Sequence, residues 1–192
     1  MRTARYSMTL ILLAVQFTHA AICEKVAKSS SAELMELLKG DLQSTTPECI
    51  EQAVVRLGDF REASAAAVLV NFLDFKRPLN EREKLGINMR WERFPAVGAL
   101  FSIGKPAIPA LLATLRSEKI TEVARQNAIR AVSTIFRDDP PQGVGELRKA
   151  AREAKEPTEA ARLRSGAESA AALCSDSWRD RCKGELTDAE KK

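Results

Sequence analysis

Residues 94–115 constrain the fold more than any other stretch of this chain. Phe94-Pro95-Ala96-Val97-Gly98-Ala99-Leu100-Phe101-Ser102-Ile103-Gly104 places apolar side chains at helical spacing and stops on a glycine. Lys105-Pro106-Ala107-Ile108-Pro109-Ala110-Leu111-Leu112-Ala113-Thr114-Leu115 then restarts a second helix through two prolines. Two helices joined this tightly bury one face against each other and leave another in need of a neighbour, which is the logic of a solenoid.

The ends of the chain limit what chemistry is on offer. Arg2 and Arg5, the apolar run from Met8 to Phe17 and the small residues of Thr18-His19-Ala20-Ala21 read as a signal peptide over 1–21. The apolar run is about half of what spans a bilayer, so no integral membrane span is expected in the mature chain. An uncleaved anchor is the rival reading, and Ile22 argues against lipidation of Cys23. Cleavage removes His19 and Tyr6, the only His and the only Tyr. With them go the commonest general base and metal ligand, so an enzyme is not expected, nor is a cofactor. Loss of Arg2 and Arg5 also lowers the formal net charge from +4 to +2, which weakens any case for nucleic acid.

Cys23, Cys49, Cys174 and Cys182 all fall on the mature side, and an even count in an exported chain reads as disulfides. Of three possible connectivities, Cys23–Cys49 and Cys174–Cys182 join neighbours in sequence. Such loops contribute about 3.5 and 2.5 kcal/mol on the chain-entropy model. The second pair carries a geometric demand. Eight residues of unbroken helix span about 12 Å, beyond the roughly 7 Å that a disulfide tolerates between Cα atoms. Ser175-Asp176-Ser177 must therefore break the helix. Zinc is the rival, disfavoured without a C-x-x-C pair or a histidine.

Along the mature chain, Ser30 or Ser31 with Glu33 forms a capping box for a helix ending at Gly40, within an N-terminal helical segment over 22–45. Thr46-Pro47-Glu48 starts a helix through Ile50, Ala53, Val54 and Leu57 to Gly58, and Ala63 to Leu73 reads as its partner with Ala66, Leu69, Val70 and Leu73 on one face. A long insertion follows at 74–93, where Pro78 cannot continue a helix. Thr121 caps a helix over Val123, Ala124, Ala128, Ile129, Val132, Ile135 and Phe136. Asp138-Asp139-Pro140-Pro141 breaks the chain before a helix from about Gln142 to Ala154, and Pro157-Thr158 starts the last long one. Residues 175–192 read as a charged tail, frayed after Cys182.

Internal echoes connect these segments. Ala53-Val54-Val55-Arg56-Leu57-Gly58 matches Ala99-Leu100-Phe101-Ser102-Ile103-Gly104, and Leu69-Val70-x-x-Leu73 matches Leu111-Leu112-x-x-Leu115. Ala128-Ile129-x-Ala131-Val132-x-x-Ile135 matches Ala96-Val97-x-Ala99-Leu100-x-x-Ile103, and Thr121-Glu122-Val123-Ala124-Arg125 is echoed by Thr158-Glu159-Ala160-Ala161-Arg162. On these residues the chain resembles HEAT-like repeat proteins, including the type found in phycobilisome lyase subunits. The phrase A-x-x-A-L-x-x-I-G-x-P-A-I-P-A-L-L is close to that family's consensus, and Gly58-Asp59-Phe60-Arg61 looks like its inter-helix turn. The resemblance implies an all-α fold, a short α-solenoid of antiparallel helix hairpins over 46–174, that binds proteins on its concave face. It does not carry lyase activity with it.

Two stretches compete as candidate sites. Lys76, Arg77, Arg90, Trp91 and Arg93 are candidate partner-binding residues, with Trp91 as an exposed anchor between two arginines. The habitual burial of Trp favours the alternative, a residue folded back over the hairpin. The mixed charges of 76–93 also fit a solvated loop. Asp59, Arg61, Arg125 and Arg162 fit structural roles, as caps and as pairs between repeats. The reading is an exported, periplasmic or extracellular, non-enzymatic scaffold or adaptor that binds another protein. A lyase-associated enzyme subunit and an envelope-associated domain binding anionic surfaces through 76–93 are the alternatives.

Overall fold

Helices begin where the sequence supplies capping groups. The structure, a computed structural model, describes residues 24–79 and 93–189, with side chains described as far as Lys183. After a helical stretch at 24–28, α1 (Ser31–Lys39) opens on a reciprocal box. The Ser30 N–H donates to Glu33 Oε2 at 2.8 Å, the Ser30 hydroxyl donates to the same oxygen at 2.9 Å, and the Glu33 N–H returns to Ser30 Oγ at 3.4 Å. Those donors, the backbone one first, hold the Glu33 carboxyl below the usual range. The cap is therefore intact above the ordinary carboxylate range and is lost as pH falls through the lowered pKa.

The helix α2 (Pro47–Phe60) starts at Thr46, whose hydroxyl accepts from the Cys49 N–H. It does not stop at Gly58 as the repeat pattern predicts. It continues to Phe60, and Arg61 takes the left-handed C-cap at φ 55°. Gly58 serves packing instead. A Cβ there would sit 2.5 Å from Ala99 Cα and 2.8 Å from Ala99 Cβ, so α2 crosses the next helix at backbone contact. The expected partner helix, Ala63 to Leu73, is a composite in which short α3 (Ala66–Leu69) lies between tighter turns at Ala63–Ala65 and Val70–Phe72. Ala66, Leu69 and Leu73 are buried as the pattern predicts, with Val68 and Phe72 beside them, while Val70 is only half-buried.

The phrase at 94–115 forms α4 (Pro95–Ile103) and α5 (Ile108–Arg116) with a tight turn at Lys105–Ala107. Gly104 makes the corner at φ 78°, its N–H donating to Leu100 O at 3.0 Å. The arms differ from the expected antiparallel pair. The chain bends through 114° between them, and each arm packs chiefly on other helices. Thereafter come α6 (Glu122–Ile135), α7 (Pro140–Glu153), α8 (Pro157–Ala172) and α9 (Asp176–Ala189). Pro140 and Pro141 begin α7 rather than preceding it, since a first helical turn needs no backbone donor there. Val123, assigned to the apolar stripe of α6, is 38% exposed.

All regular structure among the described residues is helical, with no strand. The helix α2 packs on α4 and α4 on α6, while α5 lies against both α6 and α8, and α7 against α8 and α9. One apolar cluster runs through them, from Leu34 and Leu57 through Leu100, Leu111 and Leu115 to Leu147 and Leu163. No single described helix is long and apolar enough to cross a membrane.

The C-terminal stretch corrects one expectation and bears out another. Residues 176–189 are helix rather than frayed tail. Cys174 and Cys182 form a disulfide with Cα atoms 6.7 Å apart, made possible because the helix breaks between Ala172 and Asp176. Arg148 adds a second anchor, donating from Nη2 to Cys182 O at 2.7 Å. Cys49 is buried and also disulfide-bonded, while Cys23 lies outside the described residues. Replacing Cys174 and Cys182 together by Ser is expected to cost about 2.5 kcal/mol. Chemical denaturation gives the loss, and limited proteolysis should show cutting move into 173–189.

Candidate functional site

Of the basic residues expected at the insertion, the structure describes three. The Arg77 N–H donates to Arg93 O at 3.0 Å, which brings the two ends of the insertion together. The Arg77 side chain is only 13% exposed. Its Nε lies 3.7 Å from Glu51 Oε1 on α2 and its Nη1 donates to Pro78 O at 3.2 Å. Lys76 is exposed, its ammonium 6.0 Å from the centroid of the Phe94 ring, and Arg93 is half-buried. Arg77 is thus engaged with its own fold. Arg90 and Trp91 lie outside the described residues.

An open concavity lies along α3, α5 and the start of α6. It has a volume of about 480 Å³, and Ala67, Val70, Asn71, Asp74, Ala113 and Thr121 are among its lining residues. Its shape follows from side-chain size. Alanines on α3 and α5 leave room that leucines on the opposite faces of the same helices do not, so the groove is open on one side and closed by core on the other. Thr121, the N-cap of α6, both accepts from the Ala124 N–H at 3.1 Å and donates to Asp74 Oδ2 at 3.1 Å. Asn71 and Thr114 bond back to their own helices, at Ala67 O and Ala110 O.

Beneath the groove lies a residue that the sequence pattern does not flag. Asn127, only 2% exposed, donates from Nδ2 to Leu73 O at 2.7 Å and accepts from Arg130 Nη1 at 3.3 Å. It takes up a carbonyl left over at the end of the Val70–Phe72 turn. Its place three residues after Ala124 and four before Ala131 was the available signal, since those two are buried. Asn127→Ala is expected to cost about 1–3 kcal/mol by leaving that carbonyl unpaired. Asn71→Ala should stay within about 0.5 kcal/mol, because it is exposed and bonds only to its own helix. Paired denaturation curves decide this.

Arg125 and Arg162 do pair between helices. Arg125 donates to Leu115 O and Ser117 O at 3.3 and 3.4 Å, and Arg162 donates to Arg116 O at 2.9 Å and to Glu118 Oε1 at 2.8 Å. Both guanidiniums therefore converge on the C-terminal carbonyls of α5, where positive charge is favoured. Arg116 in turn lies 2.7 Å from Glu159 on α8. These contacts fix the ends of the groove's helices, and the groove keeps one acid, Asp74, and one base, Lys119, among its lining residues.

Chemically the groove can donate and accept hydrogen bonds and cover a slender apolar side chain. Among the described residues no group of three or more His, Cys, Asp or Glu side chains is arranged to hold a metal ion. No protein-family model, no curated protein and no solved structure matches this chain.

Proposed function

We propose that this chain is an exported, non-enzymatic interaction module of HEAT-like solenoid type that holds a segment of another protein in the groove along α3, α5 and α6. The groove is the observation that carries the reading. It crosses two successive helical units, its small side chains admit a backbone, and its Asn, Thr and Asp groups match the needs of a peptide's amides. The succession of α2, α4 and α6, with α5 and α8 packed beside them, supports a solenoid order. The lyase-type alternative calls for a reactive thiol, whereas Cys49, Cys174 and Cys182 are all bonded. The engagement of Arg77 with Glu51 and Pro78 O takes one charge from the surface-binding alternative.

A photoreactive residue placed at Ala113, which is exposed in the groove, tests the proposal in the native envelope, with Val55 on α2 as the control position. A discrete adduct from position 113, absent at 55 and lost on competition with the identified segment, is the expected result. No adduct from 113, or the same adducts from both positions, sinks the proposal.

A further inference from the structure

A second concavity, separate from the groove, lies where α6, α7, α8 and α9 meet. It measures about 400 Å³, within the size range of small-molecule sites. One side presents Arg130 and Arg137, from α6 and the turn that follows it. The other presents Val144, Leu173 and Trp178, and among the described residues no carboxylate lines the cleft.

Three features favour an anionic group with an apolar body. The two guanidiniums are held in place from outside the cleft. Arg130 bonds to the buried Asn127, and Arg137 lies over the Phe101 ring at 5.1 Å from its centroid. Asp138, whose side chain is 96% exposed, lies 3.7 Å from Arg137, a screened contact that leaves the guanidinium able to take a better partner. The Ser133 hydroxyl, which lines the cleft, is buried with no hydrogen-bond partner. A buried polar group left unsatisfied is costly and calls for a ligand atom or water. Opposite these, Leu173 is 62% exposed at the rim, and Trp178 packs half-buried with Arg181 across one face of its ring at 4.8 Å. The Cys174–Cys182 bond keeps α8 and α9 together, so this wall is covalently braced.

We propose that this cleft binds a small carboxylate with an apolar body, the carboxylate between Arg130 and Arg137 and the body against Trp178, Leu173 and Val144. Such a carboxylate can come from a free aliphatic acid or from the end of a peptide, and the test separates these sources. Titrations with decanoate, N-acetylphenylalanine and the neutral decanol are followed by Trp178 fluorescence in a Trp91→Phe background. Saturable binding of decanoate or of N-acetylphenylalanine is expected, the tighter of the two naming the source, with decanol at least about tenfold weaker than decanoate. Arg137→Gln should weaken the carboxylate about tenfold and leave decanol unchanged. Arg137 is exposed, so this variant keeps its fold. Arg130→Gln should do the same, with its fold checked by circular dichroism. Equal binding of decanoate and decanol, insensitivity to Arg137→Gln, or no saturable response to either acid overturns the proposal.

Discussion

Gly58→Ala is expected to destabilise the protein by about 3 kcal/mol. The direction is not what helix propensity alone gives, since Ala is favoured over Gly by about 1 kcal/mol inside a helix. Here the added methyl would meet Ala99 at three atoms, with Cα at 2.5 Å, Cβ at 2.8 Å and the carbonyl oxygen at 3.2 Å. Two of those atoms are backbone and cannot rotate away. Relief requires α2 and α4 to separate, which loosens Val54, Leu57, Ala96 and Leu100, all buried. Gly98, one residue from Ala99, is the natural control. Nothing lies within 4 Å of its added Cβ, so Gly98→Ala is expected to stabilise by about 0.5–1 kcal/mol. Ala99→Gly in the Gly58→Ala background should recover only part of the loss, because it removes one of the three contacts. Urea melts of the four proteins check the set. A neutral or stabilising Gly58→Ala would mean the two helices do not cross there.

That position shows where the sequence was legible and where it was not. Local chemistry reads well. Ser30 with Glu33, Thr46, Thr121 and Gly104 were identified as caps or corners from neighbouring residues alone, and each acts within four residues of itself. The disulfide at Cys174 and Cys182 was legible too, because its demand for a helix break is geometry along the chain. Gly58 was misread for the complementary reason. A glycine near a helix end looks like a stop, and only Ala99, 41 positions on, reveals it as a crossing point. Asn127 escaped because its partner, Leu73 O, is 54 positions away, and its place on the buried face of α6 gives no sign of that bond. The candidate site followed the same rule. Charge in 76–93 drew attention, whereas the groove arises from alanines on α3 and α5, which are inconspicuous one at a time and form a surface only when packed side by side. The cleft at α6–α9 draws its parts from residues 130–178, so no local motif announces it.

Leu100→Ala and Leu111→Ala are each expected to cost about 2–5 kcal/mol, the transfer loss plus the cavity left behind. Both side chains are at 0% exposure in the shared core, so neither truncation can be filled by solvent. How the two losses combine is the more searching question. Closely packed antiparallel arms would let the two cavities merge or share collapsing neighbours, and the double variant would then depart from additivity by about 0.5–3 kcal/mol. The 114° bend at Gly104 directs α4 toward α2 and α6, and α5 toward α6 and α8. The two arms share only α6 among these neighbours, so the double variant should lose nearly the sum of the single losses, with coupling below about 0.5 kcal/mol. To keep a folded baseline, the cycle is best measured with Leu100→Val and Leu111→Val, which remove less volume. Losses under about 1 kcal/mol for both alanine variants would refute the burial of this pair. Strong coupling in the valine cycle would instead show that the arms close on each other, as a tight repeat hairpin requires.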